Sequence, residues 1–348
     1  MPIVPQDVLR RLAVDIFSAT GIPADDAQIV ANHLIESHLF GHDSHGTWFL
    51  PSYARSMKKG YVPWEDRDLI RENPAIALFD GKGGNGIVAV TRAVDLAVEK
   101  ARTSTFGFVG LKSVSHIGRL GDYPPRIAEQ GMLGMVWLNG GGLFLAPHGS
   151  ADRRLRPEPI AFAAPRGNGL PPFMLDMTMT VVAGGKIEQK IIRGEPLPEG
   201  WVIDQQGNDV TDSEQYRDAS TGVLPLGGRQ FGHKGHGLAM MVEMLVGPLS
   251  HAGCTKLDGA GGGGVMVLAI DISAFTDLET YTEEVEGLAE WVCSARPLPG
   301  VDRIYAPGEI EQETRTKRMV DGIELPQSVW EGICEVAAEL QVVVPEIA

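Results

Sequence analysis

Cysteine is scarce in this sequence, with three residues among 348. Cys254, Cys293 and Cys334 are odd in number and widely spaced, so the sequence predicts neither a disulfide framework nor a CxxC metal site. The opening Met-Pro-Ile-Val-Pro lacks the basic start and the apolar run of a signal peptide. We therefore expect a cytoplasmic protein that works under reducing conditions.

Positive charge is also in short supply. The chain carries 30 Lys and Arg against 45 Asp and Glu, which gives a formal net charge of -15. Nucleic acids and anionic membrane surfaces bind clustered Lys and Arg, and the basic clusters here are short, at residues 58–59, 153–154 and 315–318. The sequence also lacks the run of about 18 apolar residues that a transmembrane helix requires. It therefore predicts no nucleic-acid partner and no membrane partner.

Apolar spacing predicts helices near both ends of the chain and strands between them. Helical spacing occurs at residues 8–17, 24–39, 48–59 and 328–340. Short apolar runs separated by glycine-rich turns predict strands at residues 75–79, 106–114, 133–138, 160–164, 174–177 and 265–270. Two further helices are predicted at residues 87–102 and 237–249, and a flexible glycine loop at residues 258–264.

This mixture of elements predicts an α/β fold, with a layered mixed sheet and a second, mainly helical domain. We assign residues 1–74 and 300–348 to the helical domain. Residues 75–299 then form the α/β domain, which we expect to bind cofactor and substrate.

One glycine-rich stretch, Asp-Gly-Lys-Gly-Gly-Asn-Gly at residues 80–86, contains a literal GxGxxG pattern between a predicted strand and a predicted helix. In a Rossmann domain an acidic residue follows about twenty residues later, at the end of a second strand, and binds the ribose. That distance falls at Glu99, inside the predicted helix. A structural turn is therefore favoured over a Rossmann dinucleotide site.

Four polar blocks stand out elsewhere: Asp-Ser-His-Gly at residues 43–46, and longer blocks at residues 113–123, 175–180 and 231–243. In this order they resemble the type-2 malate/L-lactate dehydrogenase family, which includes ureidoglycolate, sulfolactate and diketogulonate oxidoreductases and cyclic-imine reductases. The resemblance covers essentially the whole chain and extends to residues 193–204, 269–275 and 307–309. It implies an enzyme with NAD(H) or NADP(H) in a non-Rossmann domain, a small-molecule substrate and a homodimer.

The resemblance also implies the catalytic residues. Reduction of a carbonyl by hydride places negative charge on its oxygen, so a positioned acid must supply a proton, and a histidine suits neutral pH. His45 matches the family's proton donor, and His116 matches the histidine that some members use instead. We favour His45 but keep both. Ser44 can bind the substrate or orient the ring, and Asp176 matches a carboxylate that fixes a histidine tautomer.

For the cofactor, the resemblance implies contacts with pyrophosphate, ribose and nicotinamide. His233 and Lys234 are expected just before a helix, where a cation and free backbone amides suit phosphate. The full set of implied cofactor residues is Asn139, Leu175, Asp176, Thr178, Thr180, His233, Lys234, Pro307, Gly308 and Glu309.

The substrate region departs from the family. Relatives carry an arginine that clamps the substrate carboxylate at the position of Phe49. Three interpretations remain: Arg119 or Arg156 replaces that clamp; the substrate is a bulkier cyclic imine or amine stacked on Trp48 and Phe49, with Glu158 near its nitrogen; or catalysis is weak or altered. The expected substrate residues are Trp48, Phe49, Tyr53, Arg119, Arg156 and Glu158.

Other chemistries are less favoured. His42 and His45 have the spacing of an HxxH metal pair, but no third ligand block follows, so we predict no metal. Ser44 lacks the strand–turn–helix elbow of a hydrolase nucleophile. From another class, a non-catalytic nucleotide sensor on a degenerate dehydrogenase scaffold stays open.

Overall fold

The computed structural model describes residues 1–256 and 261–346. In these residues the helices are α1 (Gln6–Ser18), α2 (Ala24–Leu39), α3 (Leu50–Lys59), α4 (Gly86–Ser104), α5 (Tyr123–Ala128), α6 (Gly184–Arg193), α7 (Gly228–Val246), α8 (Leu278–Cys293), α9 (Glu309–Asp321) and α10 (Gln327–Glu339). The strands are β1 (Ile3–Val4), β2 (Asp68–Glu72), β3 (Ile76–Asp80), β4 (Phe106–Lys112), β5 (Met132–Asn139), β6 (Ile160–Ala164), β7 (Phe173–Met177), β8 (Val202–Ile203), β9 (Gly222–Val223), β10 (Gly264–Asp271) and β11 (Ile323–Glu324).

A seven-stranded mixed sheet forms the middle of the molecule, in the order β2-β3-β4-β10-β5-β6-β7. Strands β3 and β4 run parallel and are joined by α4, whereas the other neighbours are antiparallel. Val267 of β10 lies opposite Val109 of β4 and Val136 of β5, and all three are fully buried. Because alternate residues of a strand face the same side, this face of the sheet forms one apolar layer. The mixed α/β fold expected from the sequence is confirmed.

The second layer is helical and joins the two ends of the chain. Helices α1, α2, α3 and α10 share one core, which includes Leu9, Leu34, Leu50 and Ile333. Strand β1 pairs with β11, so that Val4 lies opposite Ile323. The division into domains at residue 74 stays a prediction. By hydrogen bonding, β2 belongs to the sheet, because it pairs with β3.

A small lobe around α6, β8 and β9 has its own apolar core, built from residues that include Ile187, Ile191, Val202 and Val223. The first turn of α6 packs against residues 43–45. A Cβ atom at Gly185 would lie 2.8 Å from Cβ of Ser44, so glycine lets the helix approach this closely. The lobe therefore closes over one side of the Asp-Ser-His-Gly block.

Sequence patterns located the buried elements better than the exposed ones. The bounds of α2 and β6 agree with prediction, but α7 begins at Gly228 rather than at residue 237. Helices α8 and α9 were not predicted; Ala289 is the one buried residue of α8, and α9 has none. A helix with so little buried surface carries a weak apolar period. Of the predicted glycine loop, residues 258–260 lie outside the described residues, and Gly264 begins β10.

Within the described part of the chain, no helix is both long and apolar enough to cross a lipid bilayer. Cys254, Cys293 and Cys334 are free thiols.

Candidate active site

The Asp-Ser-His-Gly block is folded by His38, a buried residue at the end of α2. His38 Nδ1 lies 3.1 Å from Asp43 Oδ1, and His38 Nε2 lies 2.8 Å from Thr47 Oγ1. A Cβ atom at Gly46 would approach His38 Nε2 to 2.6 Å, so only glycine fits there. Arg318 of α9 also donates to Asp43. His38 thus fixes the loop that carries Ser44 and His45.

The rings of His45 and His116 are neighbours in the structure. Their rings are nearly parallel, with 20° between planes and 5.8 Å between centroids. Ser44 Oγ and His45 Nδ1 share a hydrogen bond of 3.0 Å. Phe49 packs beside the pair, with its ring centroid 4.5 Å from that of His116. The structure therefore brings together four residues that the sequence proposed for one site.

Burial controls the charge of both imidazoles. Desolvation, followed by the neighbouring His116, lowers the pKa of His45 from 6.5 to about 3. Desolvation also lowers the pKa of His116 to about 4, although its ring still touches solvent. Both side chains are therefore neutral at neutral pH in the ligand-free protein.

Tyr53, expected at the substrate, instead binds His116. Its hydroxyl forms a short hydrogen bond with His116 Nδ1. Burial raises the pKa of Tyr53, so the phenol keeps its proton and donates it to this bond. A neutral His116 that accepts at Nδ1 carries its own proton on Nε2. Tyr53 therefore orients His116 and sets its tautomer.

The glycine-rich turn at residues 81–86 supports the loop of His116. The backbone N–H of Ser115 donates to the carbonyl oxygen of Gly84 over 3.0 Å, and the N–H of Gly86 donates to Ser115 Oγ over 3.1 Å. A Cβ atom at Gly86 would clash with two carbonyl oxygens of this loop, that of His116 at 2.7 Å. The last glycine of the GxGxxG pattern therefore serves close packing, in agreement with the prediction of a structural turn.

Arg119 follows His116 on the same loop and is buried, with 3% of its surface exposed. His33 Nε2 accepts the backbone N–H of Arg119 over 2.8 Å, so His33 Nδ1 carries the proton and donates to Asp122 over 3.1 Å. The guanidinium of Arg119 lies 4.6 Å from the ring centroid of Phe40. His33 thus supports this loop.

Asp176 does not bind a histidine, contrary to expectation. Its Oδ2 accepts the backbone N–H of Gly121 over 2.8 Å, and burial raises its pKa. The carboxylates that orient histidines are Asp43 and Asp122, on His38 and His33. The sequence analysis predicted neither contact, because both carboxylates bind supporting histidines and not the proposed catalytic residues His45 and His116.

The hydroxyls expected to bind the cofactor are used within the protein. Thr178 donates to the carbonyl oxygen of Pro157 over 3.1 Å, and Thr180 donates to the carbonyl oxygen of Val182 over 2.6 Å. Leu175 lies in β7, opposite Phe162. In this structure both hydroxyl protons are therefore used within the protein, and the role of these threonines at a cofactor stays a prediction.

The other sequence blocks that we assigned to substrate and cofactor nevertheless form hydrogen bonds with strand β7 or with the residues just after it. Asp176 binds the loop of His116 through Gly121, and the N–H of Met174 donates to the carbonyl oxygen of Pro307 over 3.3 Å. After the strand, Met179 accepts the N–H of Leu226, just before α7. The blocks that the sequence assigned to substrate and cofactor therefore converge on one strand.

His233 and Lys234 lie inside α7 and not before it, because the helix begins at Gly228. Both side chains are exposed, and the ammonium of Lys234 lies 5.3 Å from the ring centroid of Phe231. Gly308 precedes α9 with φ of 96°, and Glu309 accepts the N–H of Ala306 over 3.0 Å. The prediction that His233 and Lys234 lie just before a helix is therefore wrong. Lys234 does, however, expose the cation that was expected.

Asn139, Arg156 and Glu158 form a separate cluster beneath the loop that leads into β10. Asn139 is fully buried and accepts the N–H of Gly264 over 2.8 Å. Arg156 binds Thr255 and backbone carbonyls. The contacts of these three residues indicate structural roles, unlike the cofactor and substrate contacts that we expected.

Glu158 is fully buried and is not the anion that the sequence suggested. Desolvation, followed by repulsion from Glu243, raises its pKa from 4.5 to about 10. The side chain is therefore neutral at neutral pH, and it cannot offer a carboxylate to an iminium ion.

A cavity of about 760 Å³ adjoins Ser44 and Phe49. Ligand sites of enzymes commonly enclose about 300–1,000 Å³. Trp48, Ile192 and Val329 give it an apolar wall, and its lining carries charges of both signs, from Arg193, Lys317 and Arg318 and from Asp43, Glu188, Asp321 and Glu324. Among the described residues, no three His, Cys, Asp or Glu side chains form a metal-binding group. Ser44 and Phe49 thus connect the pair of histidines to a space large enough for an organic ligand.

Comparisons with known proteins place this geometry in a family. The model of the malate/L-lactate dehydrogenase family matches residues 4–334. A malate dehydrogenase from Pyrococcus horikoshii is 36% identical over 348 aligned residues, covering 97% of this chain and 96% of that protein. The crystal structure of malate dehydrogenase from Entamoeba histolytica has a TM-score of 0.91 at 27% identity, and 99% of each chain is covered.

A delta1-piperideine-2-carboxylate reductase from Pseudomonas syringae pvar. tomato is also similar in structure, with a TM-score of 0.79 at 25% identity over 97% of this chain and 100% of that one. The resemblance drawn from the four polar blocks is confirmed. The chain belongs to the malate/L-lactate dehydrogenase family and is an oxidoreductase.

Proposed function

We propose that this protein transfers a hydride between a nicotinamide cofactor and a 2-hydroxy or 2-oxo acid, with His45 and His116 handling the oxygen and its proton. The observation that carries the proposal is the pairing of two neutral imidazoles at 5.8 Å. Each has its Nδ1 held by a hydroxyl, Ser44 on His45 and Tyr53 on His116. Neither Nε2 has a protein partner among the described residues, so both remain available to a substrate.

The two hydroxyls support different roles for the two rings. Tyr53 donates to His116, which keeps a proton on Nε2 and can donate it to a substrate oxygen. Ser44 can accept from Nδ1 of His45, which leaves a lone pair on Nε2 of His45. In oxidation of a hydroxy acid, His45 would accept the hydroxyl proton while His116 stabilises the oxygen. In reduction the same transfers run in reverse, and His45, which is neutral at rest, takes up a proton before it returns that proton to the substrate oxygen.

The bound nicotinamide would supply or accept the hydride. The residues present fit such a group in part. The hydrogen bonds of Asp176, Pro307 and Leu226 bring the sequence blocks to which these residues belong together around β7. His233 and Lys234 are exposed donors that could bind phosphate. The choice between NADH and NADPH stays open.

The first test is consumption of NADH or NADPH at 340 nm with a panel of 2-oxo acids. Turnover in the range of about 1–10³ s⁻¹ is ordinary for an enzyme. The proposal fails if no 2-oxo acid supports oxidation of either cofactor. Tight binding of a cofactor without turnover on a broad panel would instead support a nucleotide sensor.

Reduction of a cyclic imine is a second candidate. Phe49 replaces the arginine clamp of relatives and packs against His116, and the neighbouring cavity has an apolar wall. A structural neighbour is named as a piperideine-carboxylate reductase. The neutral state of Glu158 removes the carboxylate that we had expected near the iminium. Turnover with piperideine-2-carboxylate and not with 2-oxo acids would select this candidate.

We also propose a homodimer. Helix α7 exposes Met240, Met241 and Met244, and α8 exposes Leu288 and Trp291, the last with 77% of its surface free. Large apolar surfaces of this kind mark interfaces between subunits. Sedimentation equilibrium should give twice the chain mass, and Trp291→Glu should shift it toward the monomer. A monomer at micromolar concentration of the wild-type protein would contradict this proposal.

A further inference from the structure

We propose that Arg119 binds the carboxylate of the substrate and replaces the arginine that the family carries at the position of Phe49. This inference rests on the proposed function and names the group that selects a 2-oxo or 2-hydroxy acid. It goes beyond the family pattern, because Arg119 lies on the loop of His116 and not in the Asp-Ser-His-Gly block.

The guanidinium of Arg119 is buried but lacks hydrogen bonds. Its Nε and Nη1 have no partner within the described part of the chain. The nearest carboxylate oxygen, Oδ1 of Asp122, lies 4.0 Å from Nη2, which is an ion-pair distance and not a hydrogen bond. An arginine does not lose its proton in a protein, so these donors remain charged. Burying such donors without an acceptor costs free energy, which a bound anion would recover.

The side chain is also held in place before any ligand arrives. Its backbone N–H is fixed by His33, and Phe40 lies under its guanidinium at 4.6 Å. A Cβ atom at Gly118 would clash with His33, 2.5 Å from its Cδ2, so glycine allows the loop to pass over this ring. A fork of donors that is already positioned loses less entropy when it binds a carboxylate.

The charges around Arg119 leave room for an anion. Asp122 accepts from Arg126 over 2.8 Å and from His33 over 3.1 Å, so one carboxylate faces two guanidinium groups. Asp176 is the other nearby carboxyl, and none of its oxygens lies within 4.0 Å of Arg119. Burial raises the pKa of Asp176 and so favours its neutral form. Asp122 therefore forms its close ion pair with Arg126 and not with Arg119.

Arg119 is carried by the same loop as His116. It stands three residues after His116 on one loop. Its charge contributes to the low pKa of His42 and, to a smaller extent, of His45. Arg156, the other candidate clamp, is occupied by Thr255 and by the carbonyl oxygens of Gly141 and Gly261.

Steady-state kinetics of Arg119→Met and Arg119→Lys tests the proposal, with a 2-oxo acid and its methyl ester as paired substrates. Loss of charged hydrogen bonds should raise KM for the acid about 10- to 100-fold in Arg119→Met, with a smaller change in kcat. Arg119→Lys should recover part of this loss because it keeps the charge. KM for the ester should stay within about twofold, since the ester has no carboxylate to lose.

Arg126→Met is the matched control, because Arg126 also pairs with Asp122 but has a partly exposed side chain, unlike the buried Arg119. It should leave KM for the acid unchanged. An equal rise of KM in Arg126→Met, or an equal rise for the ester, would overturn the proposal, since the effect would then be structural. An unchanged KM for the acid in Arg119→Met would overturn it as well.

Calorimetric binding of oxamate, an isostere of a 2-oxo acid, separates this inference from the proposed function. If the wild-type protein turns over no 2-oxo acid, the proposed function fails. Oxamate binding that weakens at least tenfold in Arg119→Met and not in Arg126→Met would still support Arg119 as the residue that binds the carboxylate. Absence of oxamate binding to the wild-type protein, with and without cofactor, would overturn it.

Discussion

His45 and His116 lie 5.8 Å apart with nearly parallel rings, and each holds a hydroxyl at Nδ1. Desolvation, and after it the neighbouring imidazole of His116, disfavours the protonated form of His45 and lowers its pKa to about 3. Only one of them can act as the proton carrier in a given step. The other is then free to donate a hydrogen bond to the oxygen where charge develops.

Replacing His45 should stop the chemistry without removing the cofactor. We expect His45→Gln to lower kcat about 10²- to 10⁴-fold, the range typical of a lost general acid or base. NADH binding, followed by its fluorescence, should remain within about threefold, equivalent to less than 1 kcal/mol. His116→Gln should cost less in kcat, because it removes a hydrogen-bond donor. A larger loss of kcat in His116→Gln than in His45→Gln would show that His116, and not His45, carries the proton.

The hydroxyls behind the histidines give a second prediction. Tyr53→Phe removes the donor to Nδ1 of His116 and lets its proton move to the wrong nitrogen, so we expect kcat to fall about tenfold, the cost of one ordinary hydrogen bond. Ser44→Ala should affect His45 in the same way. Rapid-quench measurement of a single turnover isolates the chemical step. Wild-type rates in both variants would show that neither hydroxyl orients its ring.

Gly86 should be sensitive to the smallest side chain. The added methyl group of Gly86→Ala would meet the carbonyl oxygen of His116 at 2.7 Å, so we expect a loss of about 1–3 kcal/mol in the free energy of unfolding, as for overpacking. Activity should fall as well, because the loop of His116 must move. Gly237→Ala in α7 is the control, since no atom lies within 4 Å of its Cβ position. Equal urea midpoints for Gly86→Ala and wild type would contradict the packing argument.

The buried Glu158 predicts a dependence of stability on pH. Desolvation and Glu243 hold its pKa near 10 in the folded state, against 4.5 as its ordinary value. The unfolded chain therefore binds fewer protons than the folded one between these values, and this group's contribution to stability decreases as pH rises. Glu158→Gln stays neutral in both states and removes the dependence.

We therefore expect Glu158→Gln to be close to wild type in urea midpoint at pH 5 and increasingly more stable than wild type toward pH 9. Glu195→Gln, at an exposed pair with Lys190, should shift the midpoint little at either pH. A constant difference between Glu158→Gln and wild type from pH 5 to pH 9 would show that Glu158 ionises in the folded protein.

The sequence predicted the family, the mixed sheet and the two histidines, because local apolar period and short polar blocks carry that information. It could not predict partners far apart in the chain, such as His33 with Asp122, 89 positions away. For the same reason Asp176 was expected behind a histidine, although it binds the N–H of Gly121. The charge of Glu158 was also misjudged, since burial against Glu243 follows from tertiary packing.

Substrate selection illustrates the same limit. Phe49 indicated that the usual clamp is missing, and Arg119 and Arg156 were equal candidates for its replacement. Contacts separate them, because Arg156 is occupied by the loop before β10, whereas the Nε and Nη1 of Arg119 have no partner among the described residues.

The most direct test of the account follows a deuterium atom. The protein is given a 2-oxo acid and reduced nicotinamide dinucleotide deuterated at the transferred position of C4, and the product is analysed by mass spectrometry and NMR. The account predicts one deuterium at C2 of the hydroxy acid, and formation of that product slowed at least about a hundredfold in His45→Gln. A product without deuterium at C2, or one formed at the wild-type rate when both His45 and His116 are replaced, would contradict it.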